Sequence, residues 1–243
     1  MRLRYRLDGS ASEPVIALPS SLGTTLELWS DNAPHWSDRF CLLSYDQSGR
    51  RTIADLGRDF LDLLDELGLE RVSYCGLSLG GATGMWLAVN APERVDRLVL
   101  ACTSARFGEP DQWLERAARV RNQGLEPIAD AIVGRWFTTA ERPEVVARFR
   151  AQLVATPPEV YASCCEALAA WDFRDELTAI QAPTLVVAGA HDRATPPGHA
   201  EQIARAVGTT KVVLENAAHL ANVARAEAFS ALVTQHLASV EVA

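Results

Sequence analysis

A serine flanked by glycines is the part of this sequence best suited to catalysis. Gly76, Ser78 and Gly80 form the pattern G-x-S-x-G, directly after the apolar run at residues 72–75 and at the start of a helical pattern. Small residues beside a serine permit a sharp turn from strand to helix, which exposes the hydroxyl at the carboxyl edge of a sheet. The pattern therefore predicts Ser78 as a nucleophile.

A serine hydroxyl attacks a carbonyl group when a base removes its proton, and an acid usually orients that base. In sheets that carry G-x-S-x-G the three residues follow the chain order serine, acid, histidine. Asp192 follows an apolar run that ends at Ala190, and His219 follows the last apolar run, at residues 211–214. Since both lie just beyond predicted strands, we expect them to meet Ser78 at one edge of the sheet.

Three other residues compete for these two roles. His191 is the alternative base, and Glu215 and Asp172 are the alternative acids. The other histidines are poorly placed, because they precede a predicted strand, lie within a helix or lie near the C-terminus: His35, His199 and His236. Asp192 and His219 are therefore the predicted acid and base for the serine.

Ester cleavage passes through an oxyanion, which two backbone N–H groups usually stabilise. Leu79 follows the nucleophile and begins a helix, so its N–H group and the helix dipole are suitably placed. The second donor is expected in the loop at residues 19–25, with Ser21 as the predicted residue and Leu22 as the alternative. These groups complete a predicted site for acyl transfer.

Short apolar runs alternate with helical patterns along most of the chain. Predicted strands occupy residues 2–7, 15–18, 40–45, 72–75, 95–102, 184–188 and 211–214. A helix is predicted between a capping residue, Thr52, and Gly68, and further helices at 78–91, 198–206 and 225–238. Strands that alternate with helices favour an α/β fold with a mostly parallel, twisted sheet flanked by helices.

The alternation stops between residues 110 and 177, where the composition is helical and no strand pattern is found. This segment is predicted to be a helical cap, inserted into an α/β core formed by residues 1–109 and 178–243.

Composition excludes several classes of protein. The 243 residues are 48% hydrophobic and 22% charged, near the globular average. With 23 Lys and Arg against 31 Asp and Glu, the net charge of −8 gives no basic surface for nucleic acid. The apolar runs are shorter than the roughly 18 residues of a membrane span, and the first residues do not form a secretory signal. We therefore expect a soluble, cytoplasmic enzyme without a membrane partner.

The cysteines predict neither disulfides nor a metal site. Their number is odd and no C-x-x-C pair occurs: Cys41, Cys75, Cys102, Cys164 and Cys165. No H-E-x-x-H motif or cluster with zinc spacing is present. Buried, reduced thiols are the expectation.

Several stretches together resemble one family. Ser21-Leu22-Gly23-Thr24 with Trp29 is similar to its oxyanion loop, the residues from Thr52 to Leu56 to its first long helix, and Gly76 to Gly81 to its nucleophile turn. Three stretches are similar to its cap: Arg135-Trp136-Phe137-Thr138, Tyr161-Ala162-Ser163-Cys164-Cys165 and Trp171-Asp172-Phe173-Arg174. By these motifs the chain is identified as a member of the α/β-hydrolase fold family, and it resembles the 3-oxoadipate enol-lactonases within it.

This resemblance implies a substrate and a reaction. The substrate would be 3-oxoadipate enol-lactone, a small carboxylated lactone formed in bacterial breakdown of aromatic compounds, hydrolysed to 3-oxoadipate without a cofactor or metal. Its carboxylate needs a charged partner, for which Arg135 is the candidate, with Trp136 as an apolar wall and Leu22 as a further contact. The alternatives are a carboxylesterase, another lactonase or a perhydrolase, and more distantly a binding module without catalysis.

One loop departs from the family pattern. Relatives carry Arg-Gly-His-Gly and several further residues after the third strand, whereas here Asp46 is followed by Gln47-Ser48-Gly49-Arg50-Arg51 and then by the helix. Because this loop borders the mouth of the site, the departure bears on the choice of substrate.

Overall fold

A computed structural model of the chain describes residues 3–10 and 12–238. Its strands are β1 (Tyr5–Asp8), β2 (Val15–Pro19), β3 (Cys41–Tyr45), β4 (Val72–Leu77), β5 (Val95–Ala101), β6 (Thr184–Gly189) and β7 (Lys211–Leu214). They form one sheet in the order β1-β3-β2-β4-β5-β6-β7. β1 pairs with β3 in antiparallel direction, and the other neighbouring strands are parallel. The predicted α/β fold with a mostly parallel sheet is confirmed.

The helices follow in chain order. They are α1 (Ile53–Leu67), α2 (Leu79–Asn90), α3 (Pro110–Gln123), α4 (Ala129–Trp136), α5 (Pro143–Ala155), α6 (Pro158–Ala169), α7 (Pro197–Ala206), α8 (Ala221–Ala224) and α9 (Ala226–Ala238).

Both faces of the sheet are covered by apolar side chains. On β4, Tyr74 belongs to one core cluster, which α1 and α2 cover, and Cys75 to the other, which includes Phe229 of α9. Burial on both faces explains why the strands are continuously apolar rather than alternating. The central strands β2, β3 and β4 are buried throughout, so the carboxyl end of β4 is a rigid support for the residues beyond it.

Local signals in the sequence fix the ends of α1. The Thr52 side chain accepts a hydrogen bond from the Asp55 N–H group, and Gly68 ends the helix with a φ of 66°. The apolar stripe, which includes Leu56, Phe60 and Leu63, is buried against the sheet. The predicted start, end and buried face of this helix are all confirmed.

Four helices, α3 to α6, lie between β5 and β6 in the chain and add no strand to the sheet. α3 and α6 pack together, and Arg121 of α3 pairs with Glu159 and Glu166 of α6. We retain as a proposal that residues 110–177 are a cap on a core of residues 1–109 and 178–243.

Some predicted boundaries differ from the structure. The first strand begins at Tyr5 rather than at Arg2, which lies outside the described residues. The last predicted helix, at residues 225–238, is confirmed as α9, and the short helix α8 precedes it outside the predicted bounds. No helix of the described chain is long and apolar enough to cross a membrane.

All five cysteines are free and buried, as predicted. Burial raises the pKa of each thiol above its ordinary value, so the thiolate form is suppressed at neutral pH.

Candidate active site

Ser78 lies at the sharp turn between β4 and α2. Its φ of 54° is unfavourable for any residue other than glycine. The motif's glycines make the turn possible, because a Cβ atom on Gly76 would lie 2.3 Å from the Gly80 carbonyl oxygen. Thr103 Oγ1 donates a hydrogen bond of 2.7 Å to the Ser78 carbonyl group. The strand-turn-helix setting that the motif predicted is confirmed.

Asp192 and His219 form a buried pair. His219 Nδ1 lies 2.8 Å from Asp192 Oδ2, and the two residues are 5% and 4% exposed. Burial alone would raise the pKa of Asp192, but attraction to the His219 imidazole when it is protonated, its hydrogen bond and the hydrogen bonds from Thr195 outweigh burial, so this pKa lies below its ordinary value. An ionised carboxylate requires a donor at Nδ1, which leaves Nε2 of a neutral imidazole free to act as a base.

The loop that follows Asp192 holds its carboxylate in place. Oδ1 accepts hydrogen bonds from the Ala194 and Thr195 N–H groups, at 2.8 and 3.0 Å. Oδ2 accepts a third bond, of 2.7 Å, from Thr195 Oγ1. Sequence reasoning missed Thr195, although the spacing Asp-x-x-Thr is typical of a turn closed by an aspartate side chain.

Close packing brings the loops after β6 and β7 together. The His191 N–H group donates to the Ala217 carbonyl group at 2.8 Å. A Cβ atom on Gly189 would lie 2.2 Å from the Ala218 carbonyl oxygen, so glycine is required at the end of β6. This contact places the residue after Ala218, His219, beside the acid loop.

The competing residues are placed elsewhere. His191 and Glu215 are exposed, and Asp172 forms an ion pair with Arg174 at 2.6 Å. Within the described residues none of the three forms a hydrogen bond with His219.

The predicted second oxyanion donor is occupied in this structure. The Ser21 N–H group donates to Thr24 Oγ1 at 2.8 Å. Leu22, the alternative, has an N–H group without a hydrogen-bond partner in the described part of the chain. Leu79 is the first residue of α2, where N–H groups lack partners within the helix. Leu79 and Leu22, rather than Leu79 and Ser21, therefore have free N–H groups near Ser78.

A cavity of about 340 Å³ contains the predicted nucleophile and the predicted base. Ser78 and His219 line it together with the three predicted substrate contacts, Leu22, Arg135 and Trp136. Further lining residues, from the cap and its borders, include Phe107, Trp113, Arg116, Arg119, Ile128, Tyr161 and Leu168. The wall thus combines apolar side chains with polar groups, and three arginines of residues 110–177 bring positive charge to it.

Trp136 connects the predicted cap to the predicted base. Its ring is buried, and its carbonyl oxygen accepts a hydrogen bond of 3.0 Å from the Leu220 N–H group. Because Leu220 directly follows His219, this hydrogen bond joins the end of α4 to the residue next to the imidazole.

A second cavity, of about 640 Å³, lies on the other side of the oxyanion loop. Ser21, Leu22, Thr24 and Tyr161 line both cavities and so form the wall between them. The floor of the second cavity includes residues 46–49 of the loop that follows β3.

This loop is fastened by one buried carboxylate. Asp59 of α1 accepts hydrogen bonds from the Ser48 hydroxyl group and, at 2.7 and 2.8 Å, from the Arg50 guanidinium group. Burial would raise the pKa of Asp59, but the bonds from Arg50 and Ser48 lower it below its ordinary value.

We expect Asp59→Asn to destabilise the fold by about 1–3 kcal/mol at pH 7, because the variant loses charge-assisted hydrogen bonds in a buried position. A lowered carboxylate pKa gives stability above the unfolded-state value of about 4, which is lost as the pH falls through the lower, folded-state value. The difference in Tm between the variant and the wild type should therefore shrink below about pH 4. Thermal melts from pH 7 to pH 3 measure it, and a difference that persists at pH 3 would contradict this role of the charge.

Comparison with known proteins identifies the family. The model of the alpha/beta hydrolase fold matches residues 14–226. The chain belongs to this family. The 3-oxoadipate enol-lactonase 2 of Acinetobacter baylyi is 37% identical over 240 residues, covering 94% of this chain and 90% of that protein.

Two solved structures are also similar. The enol-lactonase from Burkholderia xenovorans LB400 is 39% identical, with a TM-score of 0.94 over 98% of this chain and 96% of that one. A hydrolase from Pseudomonas aeruginosa PA01 is 42% identical, with a TM-score of 0.93 over 98% and 94%. The predicted resemblance to the enol-lactonases is confirmed, and this member of the alpha/beta hydrolase family is a carboxylic ester hydrolase.

Proposed function

We propose that the chain hydrolyses 3-oxoadipate enol-lactone to 3-oxoadipate, with Ser78, His219 and Asp192 as its catalytic triad. The observation that carries the proposal is the buried His219–Asp192 pair, whose imidazole lines the same cavity as Ser78. The names of the relatives from Acinetobacter baylyi and Burkholderia xenovorans support the choice of substrate. We also propose a cytoplasmic location, which the free, buried cysteines support.

In the first half of the reaction, Ser78 Oγ attacks the lactone carbonyl carbon while His219 Nε2 accepts the hydroxyl proton. The backbone N–H groups of Leu79 and Leu22 stabilise the oxyanion. The ring C–O bond then breaks, and His219 protonates the departing enol oxygen. In a lactone this oxygen stays attached to the acyl group, so the acyl-enzyme carries the whole substrate.

In the second half, His219 removes a proton from a water molecule, which attacks the acyl carbon and releases Ser78. The product enol converts to the ketone. Asp192 keeps the imidazole in the required tautomer and stabilises its protonated form in both halves.

The cavity suits a small carboxylated substrate. Its volume of about 340 Å³ is near the lower end of ligand pockets. Trp136 supplies an apolar wall, Leu22 borders the reacting carbonyl group, and Arg135 is the sequence-based candidate for the carboxylate. Positive charge in an apolar wall favours an anionic ligand over a neutral one.

The test is the rate of enol-lactone hydrolysis by the purified protein, followed by loss of the lactone's ultraviolet absorbance and compared with p-nitrophenyl acetate. We expect turnover of about 10–1,000 per second on the lactone and much slower ester cleavage. Fast ester cleavage with slow lactone turnover would contradict the substrate while leaving the triad in place. Failure of a serine-directed phosphonate to label the protein would contradict the triad itself.

A further inference from the structure

The arginines of the cap segment divide into two groups. Five form ion pairs with carboxylates: Arg121, Arg142, Arg148, Arg150 and Arg174. The other three have no carboxylate partner within the described residues, and all three line the catalytic cavity: Arg116, Arg119 and Arg135. The cap thus leaves positive charge unneutralised where the substrate would bind.

Arg116 differs from the other two in its surroundings. Arg119 and Arg135 are exposed, whereas Arg116 is half-buried. A charge with less water around it interacts more strongly with a bound carboxylate, because screening is weaker. Among the lining residues the single acid is Glu115, next to Arg116 in the chain, and no ion pair joins them in the described structure.

The guanidinium group of Arg116 is held in position by aromatic residues. Its central carbon lies 4.6 Å from the centre of the Trp113 ring. Its charge also acts on Tyr161, where it opposes the rise in the phenol pKa that burial causes. Arg116 also hydrogen-bonds to Tyr161, and a guanidinium group over an aromatic face keeps further N–H groups at its edge that can bind both oxygens of a carboxylate.

We infer that Arg116, supported by Trp113 and Tyr161, binds the carboxylate of the substrate and makes the enzyme selective for anionic esters and lactones. Arg119 and Arg135 lie at the exposed side and add a weaker, screened attraction. This inference rests on the proposed hydrolysis at Ser78, but it does not require that the enol-lactone be the natural substrate.

A matched pair of esters tests it. Mono-p-nitrophenyl adipate carries a free carboxylate, and its methyl ester replaces that charge with a neutral group that is one methyl larger. For Arg116→Gln we expect KM for the charged ester to rise about 10- to 100-fold, as loss of a charge-assisted contact implies, while kcat changes less than threefold. KM for the neutral ester should stay within twofold of the wild type.

Arg142→Gln, which removes an exposed arginine that does not line the cavity, is the matched control, and its KM for the charged ester should stay within twofold of the wild type. Arg119→Gln and Arg135→Gln, which remove the screened attraction, should raise that KM by less than about threefold. Arg116→Lys keeps the charge but loses the planar donors, so we expect its KM for the charged ester to lie between those of the wild type and Arg116→Gln. If Arg116→Gln fails to fold, Arg116→Lys is the variant that tests the inference. Three results would overturn the inference. They are an equal KM of the wild type for the two esters, an equal effect of Arg116→Gln on both, and a larger rise in KM for the charged ester in Arg135→Gln than in Arg116→Gln. Slow enol-lactone turnover with intact selectivity for the charged ester would overturn only the proposed substrate.

Discussion

Replacing Ser78 with alanine is expected to lower turnover of the enol-lactone and of p-nitrophenyl acetate by about four to six orders of magnitude. Ser78 Oγ forms the covalent bond to the acyl carbon in the proposed mechanism, and a methyl group has no electron pair with which to do so. Long hydrolysis assays at high enzyme concentration measure the residual rate. Labelling by a serine-directed phosphonate should disappear at the same time. Turnover within tenfold of the wild type would refute the assignment of the nucleophile.

Ser78→Gly is the structural control for this experiment. It removes the hydroxyl group as alanine does, but it also relieves the strain of a φ of 54°, which alanine retains. We expect both variants to be inactive, and the glycine variant to melt about 2–4 °C above the alanine variant, equivalent to about 1 kcal/mol. A glycine variant that melts below the alanine variant would contradict the presence of strain at the turn.

Asp192→Asn is the second change with a large expected effect. An asparagine amide that donates to His219 Nδ1 would force the imidazole hydrogen onto Nε2, so the base could no longer accept the serine proton. We expect kcat to fall by about 10⁴, as the same change does in a serine protease with this triad. Steady-state assays at pH 7–8 measure the loss, and circular dichroism verifies the fold.

The rival acid supplies the matched control. Glu215 follows β7 much as Asp192 follows β6, but it is exposed. Glu215→Gln should leave kcat within twofold of the wild type. A kcat lower in Glu215→Gln than in Asp192→Asn would show that the acid had been wrongly assigned.

Much of the fold was predictable because its signals are local. The apolar runs, the Thr52 cap and the end of α1 at Gly68 depend on near neighbours in sequence, and the structure confirms them. The acid and base could be chosen because parallel strands bring their carboxyl ends to one edge. The placement of Asp192 against His219 follows from that topology.

The details of the oxyanion loop could not be predicted in this way. Whether Ser21 or Leu22 has a free N–H group depends on one hydrogen bond from Ser21 to the Thr24 hydroxyl group. That bond is set by a side-chain rotamer and the packing around it, which spacing in the sequence does not reveal.

The sequence also could not show which arginine of the predicted cap would bind the substrate carboxylate. Arg148 pairs with Asp31 and Arg121 with Glu159, contacts between residues distant in the chain. The arginines left without such partners are known only once the cap is folded. The stretch Arg135-Trp136-Phe137-Thr138 led to the prediction of Arg135, whereas in the structure Arg116 is the more buried of the two.

In the wall between the two cavities, one residue serves the reaction through its backbone and contacts the substrate through its side chain. At Leu22 the proposed oxyanion donor is a backbone N–H group, while the side chain borders both cavities. Leu22→Ala would keep the donor and shorten the side chain at this shared wall, and we expect it to raise turnover of esters with longer acyl chains relative to short ones. Substrate range in this enzyme can therefore diverge by side-chain replacement alone, without loss of the chemical machinery.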